Sequence, residues 1–126
     1  LPKRTYLSPP QSVMQAGGNL VFEDIQWEGI YQLKPFPIYD AAKRLTSNMY
    51  IPGTMMCLSF HIKKHLKIGK GGMIGEEGWN MYMTPEQAVR GLMLMQNYPE
   101  HMPDIPENPP YRDLTEFELF KDVKVI

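Results

Sequence analysis

The sequence predicts an α/β fold, with a sheet of short strands covered on both faces, and three observations carry that expectation. Four short apolar runs are too continuous to alternate cleanly, which suits strands covered on both faces. One helix is signalled at both ends. The length, 126 residues, fits a single domain with one modest core, since about two thirds of the unfolded surface can be buried at that size.

The elements follow in order. "NLVFEDI", from Asn19, reads as a short strand entering a turn, with Val, Phe and Ile supplying the β preference. "FPIYDAAKR", from Phe36, reads as a second short strand, and Asp40 stands where its apolar run ends. "TMMCLSFH", from Thr54, follows the turn signal Pro52-Gly53 and is the third; "GGMI", from Gly71, is the fourth. The helix spans Thr84 to Tyr98: Thr84 suits the N-cap, Pro85 the first turn, and Gln87 completes a capping box. Ala88, Leu92 and Met95 share one face at i, i+4, i+7 spacing. Gly91 costs about 1 kcal/mol relative to alanine in a helix, so its presence predicts a close packing contact. Residues 1–100 are thus expected to form the folded core. Residues 101–126 are expected to be a proline-rich tail, with "TEFELFKDVKVI" as a terminal strand or arm.

Composition narrows the function. A net charge of −1 argues against a general nucleic-acid or membrane binder. The single cysteine, Cys57, rules out an internal disulfide and fits a reducing compartment. No apolar run approaches the roughly 20 residues that span a bilayer. The opening "LPKRTYLSPP" lacks the apolar segment of a signal peptide, and its lack of methionine suggests a processed or partial chain. A cytoplasmic location is the expectation. Charge is nevertheless uneven. Ala41 to Gly75 holds six Lys or Arg and no acid, whereas Glu100 to Ile126 holds seven acids against three bases.

The basic stretch centres on "CLSFHIKKHLKIGKGGMI", Cys57 to Ile74. A metal site would use His61 and His65, four apart, but no third ligand has a paired spacing. A P-loop needs Lys then Ser or Thr after its second glycine, and Met73 stands there instead. A glycine turn whose amides approach an anion stays open. A nucleic-acid surface would use Lys63, Lys64, Lys67 and Lys70 with Phe60 for stacking, but aromatic interleaving is thin. A lysine that forms a Schiff base with pyridoxal phosphate needs a phosphate pocket and a carboxylate at the pyridine nitrogen. Asp40, at the end of a strand, is a candidate for that carboxylate; as an N-cap before "AAKR" it would be purely structural.

Three motifs in order resemble the DegT-type nucleotide-sugar aminotransferases, pyridoxal-phosphate enzymes of the aspartate-aminotransferase fold. "PIYDAAKR" resembles the family's strand ending in Asp-Ala-Ala, whose aspartate binds the pyridinium nitrogen. "SFHIKKHLKIGKGG" matches the family's Ser-Phe-His-x-x-Lys-x-Leu-x-x-Gly-x-Gly-Gly segment, which carries the Schiff-base role onto Lys64 rather than Lys63 and a phosphate contact onto Ser59. "GWNMYMTPEQAVRGL" is similar to the segment that follows, whose asparagine, here Asn80, reaches the phosphate bound in the partner subunit. "FEDIQWEGIYQLKP" is similar, less specifically, to a stretch ahead of the cofactor aspartate.

The resemblance implies that residues 1–100 are part of the large domain of the type I pyridoxal-phosphate-dependent transferase fold, incomplete relative to the family, with a mixed, mostly parallel sheet flanked by helices. It implies a homodimer that transfers an amino group from an amino acid to a keto-sugar nucleotide, with Lys64 catalytic and Asp40, Ser59, Lys64 and Asn80 binding pyridoxal 5′-phosphate. Related sugar dehydratases carry histidine in place of the lysine, so Lys64 favours the transaminase. The sequence also departs from the pattern: Lys43 stands where the family has Gln or His, and Tyr82 replaces an arginine. The segments Leu33 to Phe36 and Gly72 to Gly78 are shorter than the family's, and the C-terminal small domain has no counterpart. The alternative is therefore a shortened, non-catalytic relative whose basic loop holds an anion or an acidic partner.

Overall fold

The computed structural model describes residues 1–75, 79–81 and 84–126, with the backbone alone for 79–81. Among the described residues, two sheets and two α-helices make a small mixed α/β protein. The described chain divides into two compact units, one from Leu1–Trp27 with Glu107–Ile126 and one from Glu28–Pro106.

The first unit is assembled from both chain ends. Helix α1, Ser8–Gln15, opens on Pro9 and Pro10 in its first turn, where a missing N–H costs nothing. Strand β1, Val21–Phe22, pairs in parallel with the C-terminal strand Lys124–Val125. Residues from the expected tail join this core: Phe120 meets Phe22 edge to face at 5.7 Å, both are fully buried, and Leu114 is buried too. Lys3 bridges Asp24 and Asp113 at 3.0 and 2.9 Å. Burial alone would raise the Asp113 carboxyl. Hydrogen bonds from Thr115 and Lys3 outweigh it and hold that carboxyl at about 2.

The second unit is built on a five-stranded sheet in the order β2 (Tyr31–Gln32), β3 (Ile38–Asp40), β4 (Met55–Ser59), β5 (Gly72–Ile74), β6 (Trp79–Met81). The sheet is mixed, as expected, but mostly antiparallel rather than mostly parallel. Only β3 and β4 run parallel, with Asp40 in register with Cys57; the other three pairings are antiparallel. Connection length accounts for part of the difference, the 12 residues between β4 and β5 being long enough for either direction. Residues 41–54 are long enough for a parallel crossover, whereas residues 33–37 and 75–78 are short enough only for hairpins. Two-sided cover is also incomplete: Met56 is buried but Met55 is exposed, and β3 is half-buried throughout.

Helix α2, Pro85–Met95, has the expected capping box, with the Thr84 hydroxyl accepting from the Gln87 N–H and the Gln87 side chain accepting from the Thr84 N–H. It packs through Gly91, the buried residue of the helix, and a Cβ there would come within 2.7 Å of Ile68 Cδ1. That is the close contact the glycine predicts. The expected face differs, because Leu92 and Met95 stay exposed while Gln87 and Ala88 are half-buried near Gly91. The core of this unit is Phe60, Leu66 and Ile68, with Leu45, Leu58, Met73 and Tyr98 packed against it. Among the described residues, no helix is long and apolar enough to cross a membrane.

Candidate functional site

The C-terminal ends of the parallel pair β3–β4 hold the first two candidates. Asp40 is the last residue of β3 and Ser59 the last of β4. Register places Asp40 beside Cys57, and side chains alternate with period two, so Ser59 falls on the same sheet face, two residues further along β4. Brought to one strand end this way, a carboxylate and a hydroxyl can address two parts of one ligand.

Both Asp40 oxygens are held. Tyr31, buried and directly opposite on β2, donates its hydroxyl to Asp40 Oδ2 at 3.0 Å, and the Ala42 N–H donates to Oδ1 at 3.0 Å. The second contact is an Asx turn, and residues 41–44 form a turn closed by Arg44 N–H to Ala41 O rather than a helix. Each carboxylate oxygen has two lone-pair sites, so one hydrogen bond apiece leaves acceptor capacity on both. The neighbouring Cys57 thiol is pushed up, first by burial and then by the Asp40 charge.

Lys64 hangs from the connection between β4 and β5. An antiparallel pair can be closed by a two-residue turn, but residues 60–71 are used here, an excess that makes this loop the natural place for function. The reason it holds its shape is local. Phe60, Leu66 and Ile68 turn inward to form the core, which leaves Lys63, Lys67 and Lys70 exposed. Lys64 differs from those three: it is half-buried, in a turn where its N–H donates to His61 O at 2.9 Å. Gly69 and Gly71 take positive φ of 120° and 90° and return the chain to the sheet. The Gly69 N–H already donates to Phe60 O, so that glycine amide is committed to the turn rather than to an anion.

The other expected residues fall as follows. Ser59 Oγ accepts from the His61 N–H at 3.4 Å, and as an acceptor there it keeps its hydroxyl proton available to an anion. Asn80 lies in β6, in register with Met73 of β5; its side chain lies outside the described residues, as does Tyr82 altogether. Lys43 is buried just past Asp40. His61 and His65 part company: His61 Nδ1 accepts from the Lys63 N–H, while His65 Nε2 lies 2.7 Å from Pro103 O. Among the described residues, no three His, Cys, Asp or Glu side chains gather as a metal-binding group.

Sequence reasoning missed two features of the site. Tyr31 was visible only as part of a loose motif, because its role depends on the β2–β3 register. Arg44 grips Asp104 with two hydrogen bonds of 2.8 Å, and that bond from Arg44 holds the Asp104 carboxyl below the usual carboxylate range. A pair 60 residues apart leaves no local signal. Comparison of the chain with protein-family models, with curated proteins and with solved structures finds no match.

Proposed function

We propose that this chain is a pyridoxal-phosphate-dependent aminotransferase of the DegT type, with part of the large domain of the type I transferase fold, acting on a keto-sugar nucleotide. The observation that carries the reading is the parallel pair β3–β4, which ends in Asp40 on one strand and in Ser59, followed by the Lys64 loop, on the other. The donor set fits the cofactor in kind: a carboxylate with acceptor capacity left for a pyridinium N–H, a hydroxyl for a phosphate oxygen, and a half-buried amine among cations.

When bound, the cofactor supplies an electron sink for moving an amino group between an amino acid and a keto sugar. Lys64 is the nucleophilic amine and then the base that carries a proton. Asp40 accepts from the ring nitrogen and keeps it protonated, with Tyr31 and the Ala42 amide fixing the carboxylate's direction. Ser59 donates to the phosphate. Asn80 serves the site of a second subunit in a homodimer; its place on β6, at one end of the strand order, suits reach across an interface.

A second reading, a non-catalytic relative whose basic loop binds an anion or an acidic partner, is favoured by the exposure of Lys63, Lys67 and Lys70. One experiment separates the two. Purified protein mixed with pyridoxal phosphate is expected to show the absorbance band of a lysine Schiff base, lost in Lys64→Ala and kept in Lys63→Ala. No band in the wild type overturns the enzyme reading, and equal bands in both variants overturn the assignment of Lys64.

A further inference from the structure

The two loops that carry Asp40 and Lys64 are tied to the same short segment. Residues 98–105 run along residues 43–47 and are laced to them. The Tyr98 hydroxyl donates to Leu45 O, the Ser47 N–H donates to Glu100 O at 2.8 Å, and the Ile105 N–H donates to Lys43 O at 3.0 Å. Within the segment, two adjacent residues reach in different directions. Asp104 takes the two-pronged bond from Arg44, four residues past Asp40. Pro103 O takes a bond from His65, the residue after Lys64, and because a carbonyl only accepts, Nε2 carries the proton. The fit at Asp104 is close: Gly29 sits at φ +68°, and a Cβ there would collide with the Asp104 carboxylate.

We infer that Pro103–Asp104 is a clasp that positions the Lys64 loop against the Asp40 loop, with His65 and Arg44 as its positioning residues. The charged, bidentate Arg44–Asp104 grip fixes the segment in place, and the single His65 bond hands that fixed point on to the turn holding Lys64. The clasp anchors the turn that carries Lys64 within a 12-residue connection, residues 60–71. It rests on the reading of Asp40 and Lys64 as site residues, but the contacts themselves can be tested without the cofactor.

The test uses the full chain with His65→Phe, Asp104→Asn and, as a control, His65→Gln, whose amide can still donate to Pro103 O. Amide hydrogen exchange over residues 61–68 is expected to rise about two- to tenfold in His65→Phe and Asp104→Asn, the range set by one lost hydrogen bond, and to stay near wild type in His65→Gln. Borohydride trapping of pyridoxal phosphate is expected to label Lys64 in the wild type and to spread to Lys63 and Lys67 in the two disrupting variants. Unchanged exchange in either variant overturns the clasp. Raised exchange with labelling still confined to Lys64 overturns its positioning role and leaves a purely structural contact. A wild type that traps no cofactor overturns the proposed chemistry instead, and the clasp is then decided by exchange alone.

Discussion

The two units of this chain stabilise themselves in different ways. The unit formed by the chain ends has a two-stranded sheet, one edge-to-face phenylalanine pair and a lysine shared between two aspartates. The unit of residues 28–106 has five strands, and its core of Phe60, Leu66 and Ile68 comes from the loop that displays the lysines. A small core supported by ion pairs should be sensitive to a single truncation and to acid. In the other unit the apolar and basic positions of one loop divide the labour, so its core and its candidate site cannot be separated.

The sharpest way to break that comparison is Phe120→Ala. Removing a fully buried ring typically costs about 3–5 kcal/mol, close to all that so small a core can supply. Amides of residues 1–27 and 107–126 are expected to lose exchange protection, while Phe60, Leu66 and Ile68 keep theirs. Equal loss across both units would show that they do not differ in this way.

Acid tests the ion pairs next. The Asp113 carboxyl is depressed to about 2 in the folded chain, against about 4 in an unfolded one. A depressed carboxyl contributes stability that is present above its unfolded pKa and lost as pH falls through its folded pKa. The first unit should therefore weaken between about pH 4 and pH 2, by on the order of 2 kcal/mol. Asp113→Asn should flatten that part of the profile. A variant that keeps the wild-type slope would remove Asp113 as its cause.

In the second unit, Gly91→Val should cost about 1–3 kcal/mol by overpacking against Ile68. Ile68→Val, which deletes the Cδ1 atom in the way, should recover part of that loss in the double variant. Strict additivity of the two changes would mean that Gly91 and Ile68 do not meet as the structure has them.

What was legible in the sequence is what local chemistry specifies. The Pro52-Gly53 turn announced β4, Thr84 and Gln87 announced α2, and Gly91 announced its packing contact. Two short elements were not legible. Tyr31–Gln32 is two residues long and has no run to recognise, and Ser8–Gln15 carries only Val13 and Met14 as large apolar residues, too few for a stripe. Strand direction was misjudged because it was taken from the family resemblance, and apolar runs, which report burial and not pairing partners, could not correct it. Within the candidate site, the residue types came from sequence. Their supports, Tyr31 on Asp40 and Pro103–Asp104 on the two loops, came only with the fold, because each joins residues that sequence sets apart.

The smallest effect probes the strand end itself. Cys57 and Asp40 are partners in register, and the thiol is raised first by burial and second by the Asp40 charge. Because the thiolate is the reactive form, alkylation of Cys57 near pH 8 should be slower than that of an unstructured cysteine peptide. Asp40→Asn removes the charge but not the burial, so it should speed the reaction only partly, by about two- to fivefold, with the full peptide rate reached on denaturation. A rate in Asp40→Asn equal to wild type would mean the carboxylate does not face the thiol, and the placement of Asp40 beside β4 would fall with it. A rate equal to the free peptide would instead make charge, not burial, the main cause. Either way, this single cysteine reports on the carboxylate that the proposed chemistry needs, and it does so with no cofactor bound.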